Sequence, residues 1–333
     1  MKNSPGALLS RMLGGGRNLG LFTTLLLALL LISLFSPQYL SIDNAMVVAL
    51  QVSFIGLASL GTAFLIVSGN VDLSIGSQYA MCAVSAALLA KQLPVSLAWL
   101  AGIALGAALG LINGLMVWRI SISPIIVTLG TLTIFRGIAL RITNGFGVRG
   151  VPKSFSWLGE ATFLGVPTPI CALVILGIVA HLVLQYTTQG RHLFAFGGNR
   201  QAAEAAGING KGLVLTSFAL NGALVGLSAV LAASRFGTAA PTFGVGFELD
   251  VIAAVILGGV AFTGGEGSII GVMLAVILLG VINSGLISTG IDPHYAQVVK
   301  GAALVIAVAL DQLTQEQQER HRKKLAVLER AGS

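Results

Sequence analysis

Charge is scarce in this sequence: only 9% of its 333 residues are Asp, Glu, Lys or Arg, where a soluble domain of ordinary composition carries about a quarter. That deficit excludes a water-exposed globular surface and leaves most side chains facing lipid or one another. Cysteine is nearly absent. Cys82 and Cys171 lie singly in apolar segments, with no CxxC and no nearby His pair. They are read as inert buried thiols, neither a disulfide nor metal ligands. The usual chemical signatures are missing too. There is no HExxH, no zinc spacing, and no GxSxG in a strand-to-helix setting. The one Gly-Lys pair, Gly210-Lys211, lacks both the leading glycine and the trailing Ser/Thr of a P-loop. The chain is therefore expected to hold no cofactor or metal and to catalyse no reaction. If ATP powers its work, ATP-Mg sits on a different subunit.

What is present is apolar. Hydrophobic residues make up 55% of the chain and its mean hydropathy is +0.92. A spanning helix needs about 20 apolar residues to cross roughly 30 Å of hydrocarbon. Ten candidate spans follow, at 19–36, 45–68, 74–91, 94–118, 121–140, 169–186, 213–234, 248–263, 268–287 and 296–311. The run from Leu19 to Phe35 is longer than the apolar core of a signal peptide, and no small-residue cleavage site follows it. The expected fold is all-α: one polytopic bundle over 19–311, an inner segment at 187–211, and tails at 1–18 and 312–333.

The formal net charge of +7 does not point to nucleic acid, because the basic residues sit in short loops and tails. With ten spans and both termini inside, twelve of the nineteen Lys and Arg fall on the inner side. That excess places the termini in the cytoplasm.

Glycine is abundant, with 43 residues. Gly102, Gly106, Gly110 and Gly114 recur every fourth residue in the fourth span, and Gly222 and Gly226 repeat the spacing in the seventh. Lipid tails are as apolar as leucine, so helices in a bilayer associate through close backbone approach and dispersion. The stripes are read as packing grooves.

Two polar breaks interrupt apolar tracts. The first runs from Ser68 through Gly69, Asn70, Val71, Asp72, Leu73 and Ser74 to Ser77; Asp72 is placed to cap a helix start. Both a capped connection and a broken helix lining a route through the membrane fit this pattern. The second break, Thr263 to Ser268, carries an acid, glycines and a following Ser-Ile-Ile-Gly that echo the first, which suggests an internal repeat. Glu248 and Asp250 open the eighth span, where acids suit the positive end of a helix. Asn113, Asn221 and Asn283 sit within spans, where an Asn can meet a hydroxylated cargo or, more commonly, bridge helices. His181 is read as a packing or cavity residue.

In the inner segment Asn199 is a good N-cap, Arg200 and Glu204 pair at i,i+4, and Gly207 suits a C-cap. A helix of about two turns is marginal alone. Its alanine-rich face is therefore expected to dock in a partner's groove.

Four stretches carry a resemblance. Ile66 to Ser77, Gly197 to Ile208, Glu248 to Gly259 and Gln297 to Gly301 together resemble the ribose- and arabinose-type permeases, the membrane subunits of bacterial ABC importers for monosaccharides. The resemblance implies a permease of the inner membrane that dimerises, as a homodimer or heterodimer. It implies two partners, an ABC ATP-binding subunit and a periplasmic sugar-binding protein. It makes Asn199, Arg200, Glu204, Ala205, Ala206 and Gly207 the coupling helix, in a loop shorter than the usual EAA loop. Asn70, Asp72, Ser74, Asn113, Asn221 and Asn283 become candidates for the pathway or gate. Related permeases carry branched-chain amino acids or nucleosides. An ion-driven secondary transporter is the rival, but its midsections should hold a carboxylate or histidine relay and these are poor in both. A transferase acting on lipid-linked sugars would need acidic metal-binding clusters in a loop, and none is evident.

Overall fold

The computed structural model describes residues 16–290, together with 295, 298, 301 and 302. Most of the predicted tenth span, Lys300 included, residues 1–15 of the N-terminal tail and the C-terminal tail lie outside the described residues. Among the described residues twelve α-helices follow one another: α1 (Gly16–Phe35), α2 (Ile42–Val67), α3 (Ile75–Leu89), α4 (Val95–Ile120), α5 (Pro124–Thr143), α6 (Trp157–Glu160), α7 (Thr168–Tyr186), α8 (Thr188–Gly198), α9 (Arg200–Ala205), α10 (Gly210–Phe236), α11 (Phe247–Leu257) and α12 (Ile269–Ser288). A two-residue antiparallel ladder, Thr162–Phe163 with Val166–Pro167, forms a small hairpin before α7.

Among the described residues seven helices are long and apolar enough to cross a membrane: α1, α2, α4, α5, α7, α10 and α12. The described residues thus do not confirm the count of ten. The predicted third span is the 15-residue α3, and the predicted eighth is the 11-residue α11. At 1.5 Å per residue neither crosses the hydrocarbon by itself. Both are shortened by the breaks. α11 stops at Leu257 because Gly258 and Gly259 follow, and Gly259 takes φ +96°, a conformation that favours glycine.

The core is built on α2 and α10. From Ser53 to Val67 every residue of α2 except Ile55 is buried, and α10 packs along α2, α3 and α4. α1 and α12 lie together on one flank of α2, with α7 on another. The peripheral helices turn apolar side chains outward, such as Leu34 on α1 and Ile175 on α7. In water that would be an aggregation hazard; against acyl chains it costs nothing.

The two glycine stripes face each other. A methyl group on Gly106 would lie 2.2 Å from the Gly222 carbonyl oxygen, and one on Gly222 would lie 2.1 Å from that of Gly106. Gly110 meets the Phe218 carbonyl in the same way, while Gly102 packs on Val230 and Gly114 on the Phe218 side chain. Backbone touches backbone here, so even alanine is too large.

The two breaks share a capping plan. At the end of α2, Asn70 N donates to Leu65 O at 3.1 Å and Gly69 N to Ile66 O at 2.8 Å; at the end of α11, Val260 N donates to Val255 O at 3.2 Å and Gly259 N to Ile256 O at 2.9 Å. This is the Schellman pattern, with a left-handed glycine at the same place in each. Each break then ends in a serine N-cap, Ser74 or Ser268, preceded by an acid two residues earlier. The likeness stops at the side chains: Asp72 is wholly buried and Glu266 is exposed.

Candidate functional site

Four of the predicted pathway residues converge. Asp72, in the first break, accepts hydrogen bonds from the Ser74 backbone N–H at 2.8 Å, from Ser74 Oγ at 2.6 Å and from Gln78 Nε2 at 2.7 Å. Asn221 Nδ2 on α10 reaches it at 3.3 Å, and Asn113 Nδ2 on α4 at 3.4 Å. Asn113 also donates to Ser74 Oγ at 2.9 Å, and Thr62 Oγ1 on α2 donates to Asn221 Oδ1 at 2.9 Å. All of these side chains are fully buried. Asp72 therefore does more than start α3. It gathers α2, α3, α4 and α10 around one carboxyl group. The carboxyl decides how the amides turn: Gln78 and Asn113 give it their N–H groups, and their own oxygens are left without partners among the described residues. Leaving a buried acceptor unpaired costs about 1–3 kcal/mol, so the bonds to Asp72 must be worth more.

The other two predicted pathway residues stand apart. Asn70 folds back on Ser68, donating to its carbonyl at 3.2 Å and to its Oγ at 3.1 Å. Asn283, on α12, lines a separate small cavity.

Residues 187–211 contain more helix than their sequence suggests. α8 precedes the short helix, capped by Thr187 Oγ1, which accepts from Gly190 N, and anchored by buried Leu193 and Phe196. That i,i+3 pair was the available signal. In α9, Asn199 Oδ1 accepts from Ala202 N at 2.9 Å, Arg200 pairs with Glu204 at 3.1 Å, and Gly207 takes φ +85°. The alanine face divides: Ala203 is buried against the bundle, while Ala202, Ala205 and Ala206 are exposed. The Arg200 guanidinium lies 4.8 Å from the centre of the Trp118 ring and 5.4 Å from that of Phe196. Trp118 stands on α4, the helix that also carries Asn113.

A second grip is made of glycine. Gly265 N donates to Val67 O at 2.9 Å. A methyl on Gly197 would meet that same Val67 carbonyl, and one on Gly264 would lie 2.9 Å from Gly69 Cα. Gly197 and Gly198 end α8, so residues 187–211, the first break and the second break meet backbone to backbone. Nothing in the spacing of these glycines along the chain announces that meeting.

Elsewhere, Arg136 on α5 donates to the carbonyl oxygens of Pro241 and Phe243, holding the loop before α11. His181 makes an edge contact with Tyr186. Cys82 is buried, Cys171 is half-buried, and both are free. No group of three or more His, Cys, Asp or Glu side chains suited to a metal occurs among the described residues. Gln78, Thr62 and Gln51 were not singled out by sequence, because an isolated polar residue in an apolar helix has no pattern until its neighbours from other helices are known.

Residues 44–308 match the family described as "Branched-chain amino acid transport system / permease component". The chain is 37% identical over 302 residues to the ribose import permease protein RbsC of Bacillus subtilis, covering 89% of this chain and 92% of the relative. It is 34% identical over 292 residues to RbsC of Escherichia coli, covering 86% and 91%. With the D-allose transport system permease protein AlsC of Escherichia coli the identity is 35% over 297 residues, covering 88% and 91%. No solved structure matches the chain. A bundle of long apolar helices, a helix-bearing segment fastened to two broken spans, and a match that runs through nearly all of it lead to one conclusion: the chain belongs to this family of transport permeases and is a multi-pass membrane protein.

Proposed function

We propose that this chain is the permease subunit of an ATP-driven bacterial importer for a monosaccharide, and that it forms the translocation pathway in the inner membrane. The observation that carries the reading is identity of 34–37% across almost the whole chain to permeases named for ribose and allose. ATP-Mg is bound and hydrolysed on a separate ATP-binding subunit. A periplasmic sugar-binding protein delivers the cargo, and a second permease chain, identical or related, completes the route. α8 and α9 lie on the cytoplasmic side with both tails, where the ATPase docks; the Lys and Arg of residues 187–211 and of the tails support that side.

In this reading Asn199 to Gly207 is the coupling helix. Movement of the ATPase reaches α4 through Arg200 on Trp118. It reaches both breaks through Gly197 and its neighbours. The Asp72 cluster then acts as the hub of the gate, keeping four helices in register as the pathway switches. A pathway switch of this kind needs rigid pieces joined at a few contacts, and the glycine junction is such a contact.

The decisive experiment is reconstitution of the chain in liposomes with an ATPase and a binding protein. ATP-dependent uptake of a labelled monosaccharide is expected. Uptake by this chain alone on an ion gradient overturns the reading. The family description gives one reason to include leucine in the cargo panel, and preferential uptake of leucine would replace the sugar.

Two substitutions probe coupling. Glu204→Lys is expected to reduce uptake at least about tenfold while folded protein remains in the membrane. The Arg200–Glu204 pair is exposed, so its loss costs about 0–1 kcal/mol of stability; a large loss of uptake then reports docking. Normal uptake by that variant removes the assignment. Gly197→Ala is expected to lower uptake about tenfold or more, because a methyl there meets backbone that cannot yield. Gly198→Ala, whose methyl would meet nothing closer than Gly265 Cα at 3.9 Å, is expected to transport normally. Equal behaviour of the two variants counts against the junction.

A further inference from the structure

Gln51 on α2, Asp250 on α11 and Asn283 on α12 line one cavity of about 50 Å³, with Val52, Ile55 and Leu279 as its apolar walls. Gln51 is exposed on the surface of the chain, and Asp250 and Asn283 are half-buried. Gln51 is nine residues into α2, roughly 14 Å along its axis, with Leu50 and Val52 beside it. Asn283 is likewise flanked by Ile282 within α12. Three helices that pack on one another thus turn a polar side chain to the same opening. A polar or ionisable group at membrane depth is costly against lipid and belongs to a bundle interior or a water-filled route. Such a convergence of three polar groups on the chain's outer face therefore marks the face that meets the route.

We propose that Gln51, Asp250 and Asn283 form the hydroxyl-contacting wall of the translocation pathway, a weak site for a neutral polyol such as a monosaccharide. This inference rests on the importer reading above and says where cargo touches the chain. The chemistry selects the ligand. The amides of Gln51 and Asn283 each offer both donors and an acceptor, the carboxyl of Asp250 accepts, and a sugar hydroxyl does both. The aliphatic walls suit the C–H faces of a sugar ring. An anionic cargo would be repelled by Asp250. The cavity is too small to enclose a sugar, so contact is made in passing and the opposite wall comes from another chain. A conduit needs such weakness, because cargo that binds tightly does not leave.

Thiol accessibility in the complete complex tests it, in a Cys82→Ala/Cys171→Ala background. Gln51→Cys and Asn283→Cys are expected to react with a charged, water-soluble methanethiosulfonate at least about tenfold faster than Ile175→Cys on the apolar face of α7. The paired substitution Gln51→Leu/Asn283→Leu is expected to lower sugar uptake about fivefold or more and leave ATP hydrolysis stimulated by the loaded binding protein within about twofold of the parent. A merely structural role would instead lower both together. The proposal is overturned by labelling no faster than at Ile175→Cys, by unchanged uptake in the Leu pair, or by a parallel fall in hydrolysis. If the parent complex shows no ATP-dependent uptake, the importer reading itself fails; if the parent transports normally, these outcomes bear on the wall alone.

Discussion

Gly106→Leu is expected to yield little or no folded protein, read as loss of a monodisperse peak in detergent and of a cooperative thermal transition. The seam between α4 and α10 leaves no room for a side chain: the position that a Cβ would take on Gly106 is 2.2 Å from the Gly222 carbonyl oxygen and 3.0 Å from Gly226 Cα. Overpacking a soluble core costs about 1–3 kcal/mol, because neighbouring side chains can shift. Here the neighbour is backbone, so the two helices must part along several turns and lose their dispersion contacts, the main attraction available within a bilayer. A loss above about 3 kcal/mol follows, out of a total stability of about 5–15 kcal/mol. Gly137→Leu is the matched control, since a Cβ there would meet nothing within 4 Å. An unchanged melting temperature for Gly106→Leu would show that α4 and α10 are not in contact as described.

Asp72→Ala comes second. The substitution strips one acceptor from five donor groups on Ser74, Gln78, Asn113 and Asn221, all within the buried core. Each donor left unpaired costs about 1–3 kcal/mol. Partial rearrangement, with the Asn113 amide turning to Ser74 alone, keeps the total at an order of 3–5 kcal/mol. Asp72→Asn is expected to be milder in stability, because its single oxygen can still accept from Ser74. Its new N–H₂ would face the Gln78 and Asn221 donors, so both variants are expected to lose uptake at least about tenfold. Thermal unfolding and uptake measured on the same preparations separate the two effects. Wild-type stability in Asp72→Ala would mean that the hub does not join the helices.

These cases show which inferences a one-dimensional string supports. The Gly102–Gly114 stripe was legible because a period of four on a helix is a face, and a smooth face in a membrane has one use. What it packs against was not legible; Gly222 and Gly226 had the matching period, but any other helix could have offered a groove. The caps of α9 were legible because capping acts within four residues of chain. Asp72 stood out as an acid in an apolar tract, yet its local reading as a helix cap missed the role of Asn113 and Asn221, which lie 41 and 149 residues further along. Hydropathy marked the third and eighth spans as short, at 74–91 and 248–263, yet not where α11 ends, because it registers apolar runs and not where a left-handed glycine ends a helix inside one.

Composition and local pattern were enough to determine the class of this molecule. A chain with so little charge can be stable only in lipid, and in lipid the backbone must satisfy its own hydrogen bonds, which helices do within themselves. Tertiary structure alone decided the site. Hydrogen bonds from three helices to one carboxyl, Gly197, Gly264 and Gly265 meeting at Val67 and Gly69, and three polar side chains sharing one opening are all contacts between distant parts of the chain. Their energies depend on separations of a few ångströms in space, a quantity that residue order does not contain.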